Sequence, residues 1–221
     1  MTERPVEAVI FDYGGVISVA VFNDLGQMED ELGVPRGSVH RLMFGTIDEI
    51  EPDYHLLEIG QLSVDVYIEG LVRRAPEVLG RPLDATSYLK FAGARPLQVH
   101  WPVVHRIRQL RGDGMPLALL TNNVKEFGDA WRASFPAEDL FSVVIDSSEV
   151  GMRKPDPRIY ELTCERIGVD PAAAVFLDDN EENIAASTSL GIESVLVTPD
   201  PLETVAALDA ILERRGFAAP E

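Results

Sequence analysis

Four polar segments of this chain hold the residue types that could do chemistry. VIFDYGG ends an apolar run in Asp12, LALLTNN ends one in Thr121 and Asn122, VFLDDNEEN ends one in Asp178 and Asp179, and GMRKPDP carries Lys154. A carboxylate with an ordinary pKa of about 4 is ionised at neutral pH and can attack phosphorus without a general base. Two further carboxylates close by would repel it and a phosphate unless a divalent cation lay between them. Hard oxygen ligands favour magnesium, which commonly takes one or two carboxylates with carbonyl oxygen and water. Lys154 would offset charge on the phosphoryl oxygens and orient Asp12. Thr121 and the amides of Tyr13, Gly14 and Asn122 would hydrogen-bond those oxygens, and Gly14 and Gly15 would let the backbone come close. Any one segment alone reads as a turn or helix cap; their joint order and spacing carry the chemistry.

Such residues must be delivered by strands. Short apolar runs at Val6 to Phe11, Leu117 to Leu120, Val143 to Ile145, Val175 to Leu177 and Ser194 to Val197 alternate with helix-like stretches. That pattern predicts an α/β fold with a parallel sheet covered on both faces, whose ligands bind beyond the carboxyl ends of the strands. The first two runs are about a hundred residues apart, far more than one crossover helix needs. The intervening stretches VFNDLGQMEDELGV and LSVDVYIEGLVRRAPEVLG repeat apolar residues at three and four, which predicts an inserted helical domain over 18–95 with a sheet core of 1–17 and 96–221. VHWPVVHRIRQLRGDG and PLETVAALDAILERRGFAAP read as scaffold helices, and the polar, acidic segment from Met43 to Tyr54 as a loop.

Composition narrows the partners. The chain of 221 residues carries 19 Lys and Arg against 37 Asp and Glu, a formal charge of -18, which argues against nucleic acid or an anionic membrane as partner. MTERPVEAVIFDYGG has no secretory pattern, and no apolar run approaches the roughly 18 residues that span a bilayer. A cytoplasmic protein, monomer or homodimer, is expected. Cys164, the single cysteine, cannot form an intrachain disulfide and reads as a small buried side chain. His40, His55, His100 and His105 lack metal-ligand spacing, and Phe44, Tyr54, Tyr67 and Tyr88 read as packing between inserted helices.

The four segments resemble the motifs of the haloacid dehalogenase-like hydrolase superfamily: FDYGGVI the first, LLTNN the second, Lys154 in GMRKPDPRIY the third, and FLDDNEENIAASTSLGI the acidic fourth with Asn183. The inserted region resembles the helical cap of that family, and the nearest likeness is to the glucose-1-phosphatase type and to the N-terminal phosphatase-like domain of soluble epoxide hydrolase. The resemblance implies a Rossmann-like core, an aspartyl-phosphate on Asp12, and magnesium held by Asp12, the carbonyl of Gly14 and the acidic pair Asp178 and Asp179. The expected substrate is a small phosphorylated metabolite, such as a sugar phosphate.

One position departs from the pattern. Phosphatases of this family usually carry a second Asp two residues after the nucleophile, where this chain has Gly14. Loss of a general acid or base costs about 10² to 10⁴ in rate, so a catalytically impaired binding or regulatory protein is the alternative. A 2-haloacid dehalogenase is a weaker one, since those enzymes generally have Tyr two residues after the nucleophile and here Tyr13 directly follows Asp12. A phosphoryl-transfer mutase is disfavoured because mutases of this fold rely on the second Asp.

Overall fold

AVIF, LALLT and AVFLD are buried along their whole length and form the middle of a parallel sheet. They are β1 (Ala8–Phe11), β2 (Leu117–Thr121) and β4 (Ala174–Asp178); β3 (Val143–Asp146) and β5 (Glu193–Leu196) flank them in the order β3-β2-β1-β4-β5. The computed structural model describes residues 4–19, 25–45, 52–86 and 98–217. Alternation along each strand divides the sheet into two apolar layers. Val9, Phe11, Leu117, Leu119, Val175 and Leu177 point to one face; Ile10, Ala118, Leu120, Ala174 and Phe176 point to the other. Both faces are covered, as the near-continuous apolar strands require.

Among the described residues the helices named are α1 (Leu25–Leu32), α2 (Ser38–Phe44), α3 (Pro52–Glu58), α4 (Val64–Val78), α5 (Trp101–Gly112), α6 (Gly128–Arg132), α7 (Ala137–Leu140), α8 (Ser147–Val150), α9 (Pro157–Ile167), α10 (Glu181–Ser189) and α11 (Pro201–Arg215). Helices α5 and α11 supply Val104, Ile107, Leu208 and Leu212 to the first layer. Helices α9 and α10 cover the second, where Cys164 is buried. Asp156, Asn180 and Asp200 cap α9, α10 and α11 with side-chain acceptors, each offsetting a backbone N–H that the helix cannot satisfy.

The inserted helices have an apolar cluster of their own. Met28, Val39, Leu42, Leu57, Ile68 and Leu71 meet there, and Val124 reaches in from the loop after β2. Each such side chain contributes roughly 1.5–3 kcal/mol on burial, so α1 to α4 do not depend on the sheet for their apolar faces. The chain leaves and re-enters the sheet side by side: Val19 N donates to Gln98 O at 2.9 Å and His100 N to Ile17 O at 2.7 Å, with Ser18 bridged antiparallel to Val99. The expected boundary at 95/96, Tyr88 and residues 46–51 of the expected Met43 to Tyr54 loop lie outside the described residues; of the rest of that loop, Met43 and Phe44 end α2 and Pro52 to Tyr54 begin α3, so the helices run into both its ends. Among the described residues no helix is long and apolar enough to cross a membrane.

Candidate active site

Strand order reverses between β1 and β4, the place where an open parallel sheet opens a crevice at its carboxyl end. Phe11 pairs with Leu177 across that boundary, and Asp12 N donates to Leu177 O at 3.0 Å. Asp12 and Asp178 therefore leave neighbouring strands side by side, with Thr121 at the end of β2. Lys154 enters from the loop before α9. Its Nζ lies 2.7 Å from Asp12 Oδ1 and 2.6 Å from Asp178 Oδ2, and the side chain is only 1% exposed. The side chain of Asn122 fixes the Lys154 backbone from both sides: Lys154 N donates to Asn122 Oδ1 at 2.8 Å, and Asn122 Nδ2 donates to Lys154 O at 2.9 Å.

The acidic pair divides into two environments. Asp178 is sealed and accepts from Asn180 N at 2.8 Å and from Asn183 Nδ2 at 3.0 and 3.1 Å, besides Lys154. Its four carboxylate acceptor sites are thereby taken. Asp179 is exposed and leans over the turn after β1: a Cβ on Gly15 would stand 2.0 Å from Asp179 Oδ2. With φ at +75° as well, position 15 requires glycine. One carboxylate oxygen from each of Asp12, Asp178 and Asp179 lies within 4.8 Å of the others. Three carboxylates and one ammonium leave a formal charge of -2, and the donor set is all oxygen, a fit to a divalent hard cation such as magnesium.

The electrostatics follow from that crowding. Burial pushes the Asp12 carboxyl up to about 8; Lys154 pulls it down, and Asp178 and Asp179 raise it further. Burial also raises Asp179, with Asp178 adding to the rise. For Lys154 burial works against the charge, but Asp12 and Asp178 outweigh it and hold the ammonium above the usual lysine value.

Of the residues singled out in the sequence, Asp12, Lys154, Asp178 and Asp179 come together, with Thr121 and Gly15 beside them. Three differ in detail. The amide of Tyr13, expected to reach phosphoryl oxygens, donates to Asp12 Oδ1 at 2.7 Å. The Tyr13 ring turns away into the core, stacked 5.7 Å from Phe135 and bonded to Ser134 Oγ at 2.8 Å. The Asn122 side chain holds the Lys154 backbone with Oδ1 and one Nδ2 hydrogen, a use its sequence position did not indicate. At Gly14 a Cβ would meet nothing within 4 Å among the described residues, and its φ is not positive; glycine there is not a steric requirement, because the backbone turns at Gly15. Sequence reasoning missed Glu58, which binds Arg153, and Ser147, which accepts from Asn123 N, and Arg153, whose only signal was its place before Lys154.

A cleft of about 500 Å³ opens between α3 and the Lys154 loop, with His55, Ile59, Met152, Arg153 and Glu182 on its walls. Burial and Arg153 hold the His55 imidazole below its usual value, with Glu182 opposing. His40 packs on Phe44, and His100 Nδ1 lies 3.0 Å from Val16 O; neither joins the carboxylates.

The geometry has counterparts. Acyl-CoA dehydrogenase family member 10 of Mus musculus is 31% identical over 95% of this chain, and the chain spans only 19% of that protein. A phosphatase of Mycobacterium tuberculosis (strain CDC 1551 / Oshkosh) is 26% identical over 96% of this chain and 99% of its own length. A solved HAD family enzyme of Bacteroides thetaiotaomicron shares the fold with a TM-score of 0.69 at 20% identity, covering 92% of this chain and 99% of that one. The sequence model described as haloacid dehalogenase-like hydrolase matches residues 6–191, from β1 through the acidic pair to the end of α10. With strand order, the turn that carries Asp12 and the match over most of its length in agreement, the chain belongs to the haloacid dehalogenase-like hydrolases.

Proposed function

We propose that this hydrolase is a magnesium-dependent phosphatase acting on a small phosphorylated metabolite through an aspartyl-phosphate on Asp12. The convergence of three carboxylates around one sealed lysine carries the reading. Asp12 Oδ1 is occupied by Lys154 and the Tyr13 amide, which leaves Oδ2 to attack phosphorus as the bond to the ester oxygen breaks. Lys154 and Thr121 meet the phosphoryl oxygens. Asp12, Asp179 and the carbonyl of Gly14 would hold magnesium, with Asp178 behind them fixing Lys154; when bound, the ion supplies charge neutralisation and orientation of the phosphoryl oxygens. Water then attacks phosphorus and returns the Asp12 carboxylate. Such transfer depends mainly on positioning and charge, which this small set provides.

Position 14 has no carboxylate, so the leaving oxygen takes its proton from elsewhere, and leaving groups of low pKa are favoured. The same position motivates the alternative of a catalytically impaired binding protein. The dehalogenase reading is disfavoured by the buried course of the Tyr13 ring and by the intact acidic pair. A cytoplasmic setting, and a division into a core of 1–17 and 96–221 with a helical cap of 18–95 over the crevice, belong to the same proposal.

Hydrolysis of para-nitrophenyl phosphate, with magnesium, with EDTA and with Asp12→Asn, tests it. Magnesium-dependent turnover that disappears in the mutant is expected. Turnover that survives both EDTA and the mutation would overturn the reading, and binding of magnesium without turnover would favour the impaired protein.

A further inference from the structure

One residue of the inserted helices meets the Lys154 loop directly and the loop after Thr121 through Ser147. Glu58, the last residue of α3, is 6% exposed. Its Oε2 lies 2.6 Å from Nε of Arg153, the residue before Lys154. Its backbone carbonyl accepts a 2.6 Å hydrogen bond from Ser147 Oγ, and that oxygen accepts from Asn123 N at 2.9 Å, two residues beyond Thr121. Asp146 steadies the junction by accepting from Asn123 Nδ2 and Ser148 N, each at 3.0 Å. The turn after α3 approaches as closely: a Cβ on Gly60, whose φ is +70°, would stand 2.6 Å from the Ser148 carbonyl oxygen.

We propose that Glu58 is a positioning residue, which by gripping Arg153 and Ser147 couples the seating of the inserted helices to the placement of Lys154 and Thr121. The inference rests on the phosphatase reading for the roles of those two residues. Asn122 sets the Lys154 backbone from the side of β2, and the Glu58–Arg153 pair sets the adjoining residue from the side of α3. Lys154 Nζ must stay within 2.7 Å of two carboxylates at once, so a small displacement of its loop breaks one contact or both. An ion pair whose carboxylate is buried at the seam suits this task, because a carboxylate left there without its partner is strongly disfavoured. Burial pushes the Glu58 carboxyl up and Arg153 draws it down, the balance of a charge that depends on its partner.

The experiment compares wild type with Glu58→Gln, Arg153→Gln, the double variant and the charge-swapped Glu58→Arg/Arg153→Glu, using para-nitrophenyl phosphate with magnesium. A misplacement of about 1 Å can cost on the order of 10²-fold in rate. Each single variant is expected to lower kcat at least about 10-fold, toward that limit, with KM nearly unchanged. The double variant should be no worse than the poorer single, as for groups that act as one unit, and the charge swap should recover part of the loss. Amide hydrogen exchange over 151–156, which needs no turnover, should quicken in Glu58→Gln while its circular dichroism stays that of wild type. If Glu58→Gln fails to fold, Arg153→Lys, which loses the Nε contact, carries the same expectation. Wild-type kcat in the singles, additive losses in the double, or unchanged exchange over 151–156 would overturn the coupling. Failure of wild type to turn over, or turnover that persists in Asp12→Asn, would instead overturn the phosphatase reading, and the exchange measurement would then decide the coupling alone.

Discussion

Lys154 Nζ and Asp178 Oδ2 lie 2.6 Å apart with both side chains closed to solvent. Removing one partner of a buried pair leaves an uncompensated charge, at a cost of about 3–5 kcal/mol. Lys154→Met is therefore expected to lose stability of that order along with all turnover. Urea denaturation in EDTA measures it; a loss below about 1 kcal/mol, the range of exposed pairs, would mean that the pair is not sealed.

Asp178 and Asp179 are adjacent in sequence, but their substitutions should separate. Asp178 has its acceptor sites filled by Lys154, Asn180 and Asn183, so Asp178→Asn should lower the melting temperature sharply. Asp179 is exposed, and Asp179→Asn should leave the melting temperature near wild type while weakening magnesium binding by calorimetry. The reverse pattern would exchange their roles.

Magnesium binding should depend on pH. The site must release a proton from Asp12, held at about 8 in the metal-free protein, so affinity should rise up to about tenfold per pH unit below that value and level off above it. Stability of the metal-free protein should run the other way. The folded value exceeds the unfolded value of 3.8, so the native state holds the proton more tightly, and the contribution of Asp12 is lost as pH rises from about 4 to about 8. Thermal melts across that range in EDTA and in magnesium test both signs; a metal-free stability that does not fall would contradict the raised carboxyl.

Gly14→Asp should fit, since a Cβ there meets nothing within 4 Å among the described residues and φ is not positive. A carboxyl at this point would protonate a poor leaving group, and a general acid is worth about 10²-fold or more. A rise of that order is expected with glycerol phosphate and little change with para-nitrophenyl phosphate. Equal effects on the two substrates would show that the new carboxyl acts by its charge and not as an acid.

Much of this was legible in the sequence because strand ends announce themselves. Asp12, Thr121 and Asp178 each follow an apolar run, and in a parallel sheet every such run ends on the same edge, so their meeting required no knowledge of side-chain packing. The sheet itself was read from the same runs, and the inserted helices from apolar residues spaced at three and four. Tyr13 was harder: its neighbours in sequence place it in the turn after Asp12, while the pocket that takes its ring is built by Trp131, Ser134 and Phe135, more than a hundred residues later. Asn122 could be assigned to the site but not to the Lys154 backbone, because a side-chain amide serves either purpose. Glu58 gave no local signal, since its partner lies 95 residues away and acidic residues are frequent throughout this chain.

The narrow ribbon where Ile17 and Val19 meet His100 and Gln98 also bears on how the molecule can change. To the sheet, the long excursion between those residues closes like a hairpin, because its two ends are already paired. Lengthening a loop inside it adds only about 0.6 kcal/mol of closure entropy per doubling, and the addition never reaches the register of β1 against β2. The excursion can thus be exchanged as a cassette without disturbing the sheet, provided that the incoming segment restores an acidic anchor for Arg153.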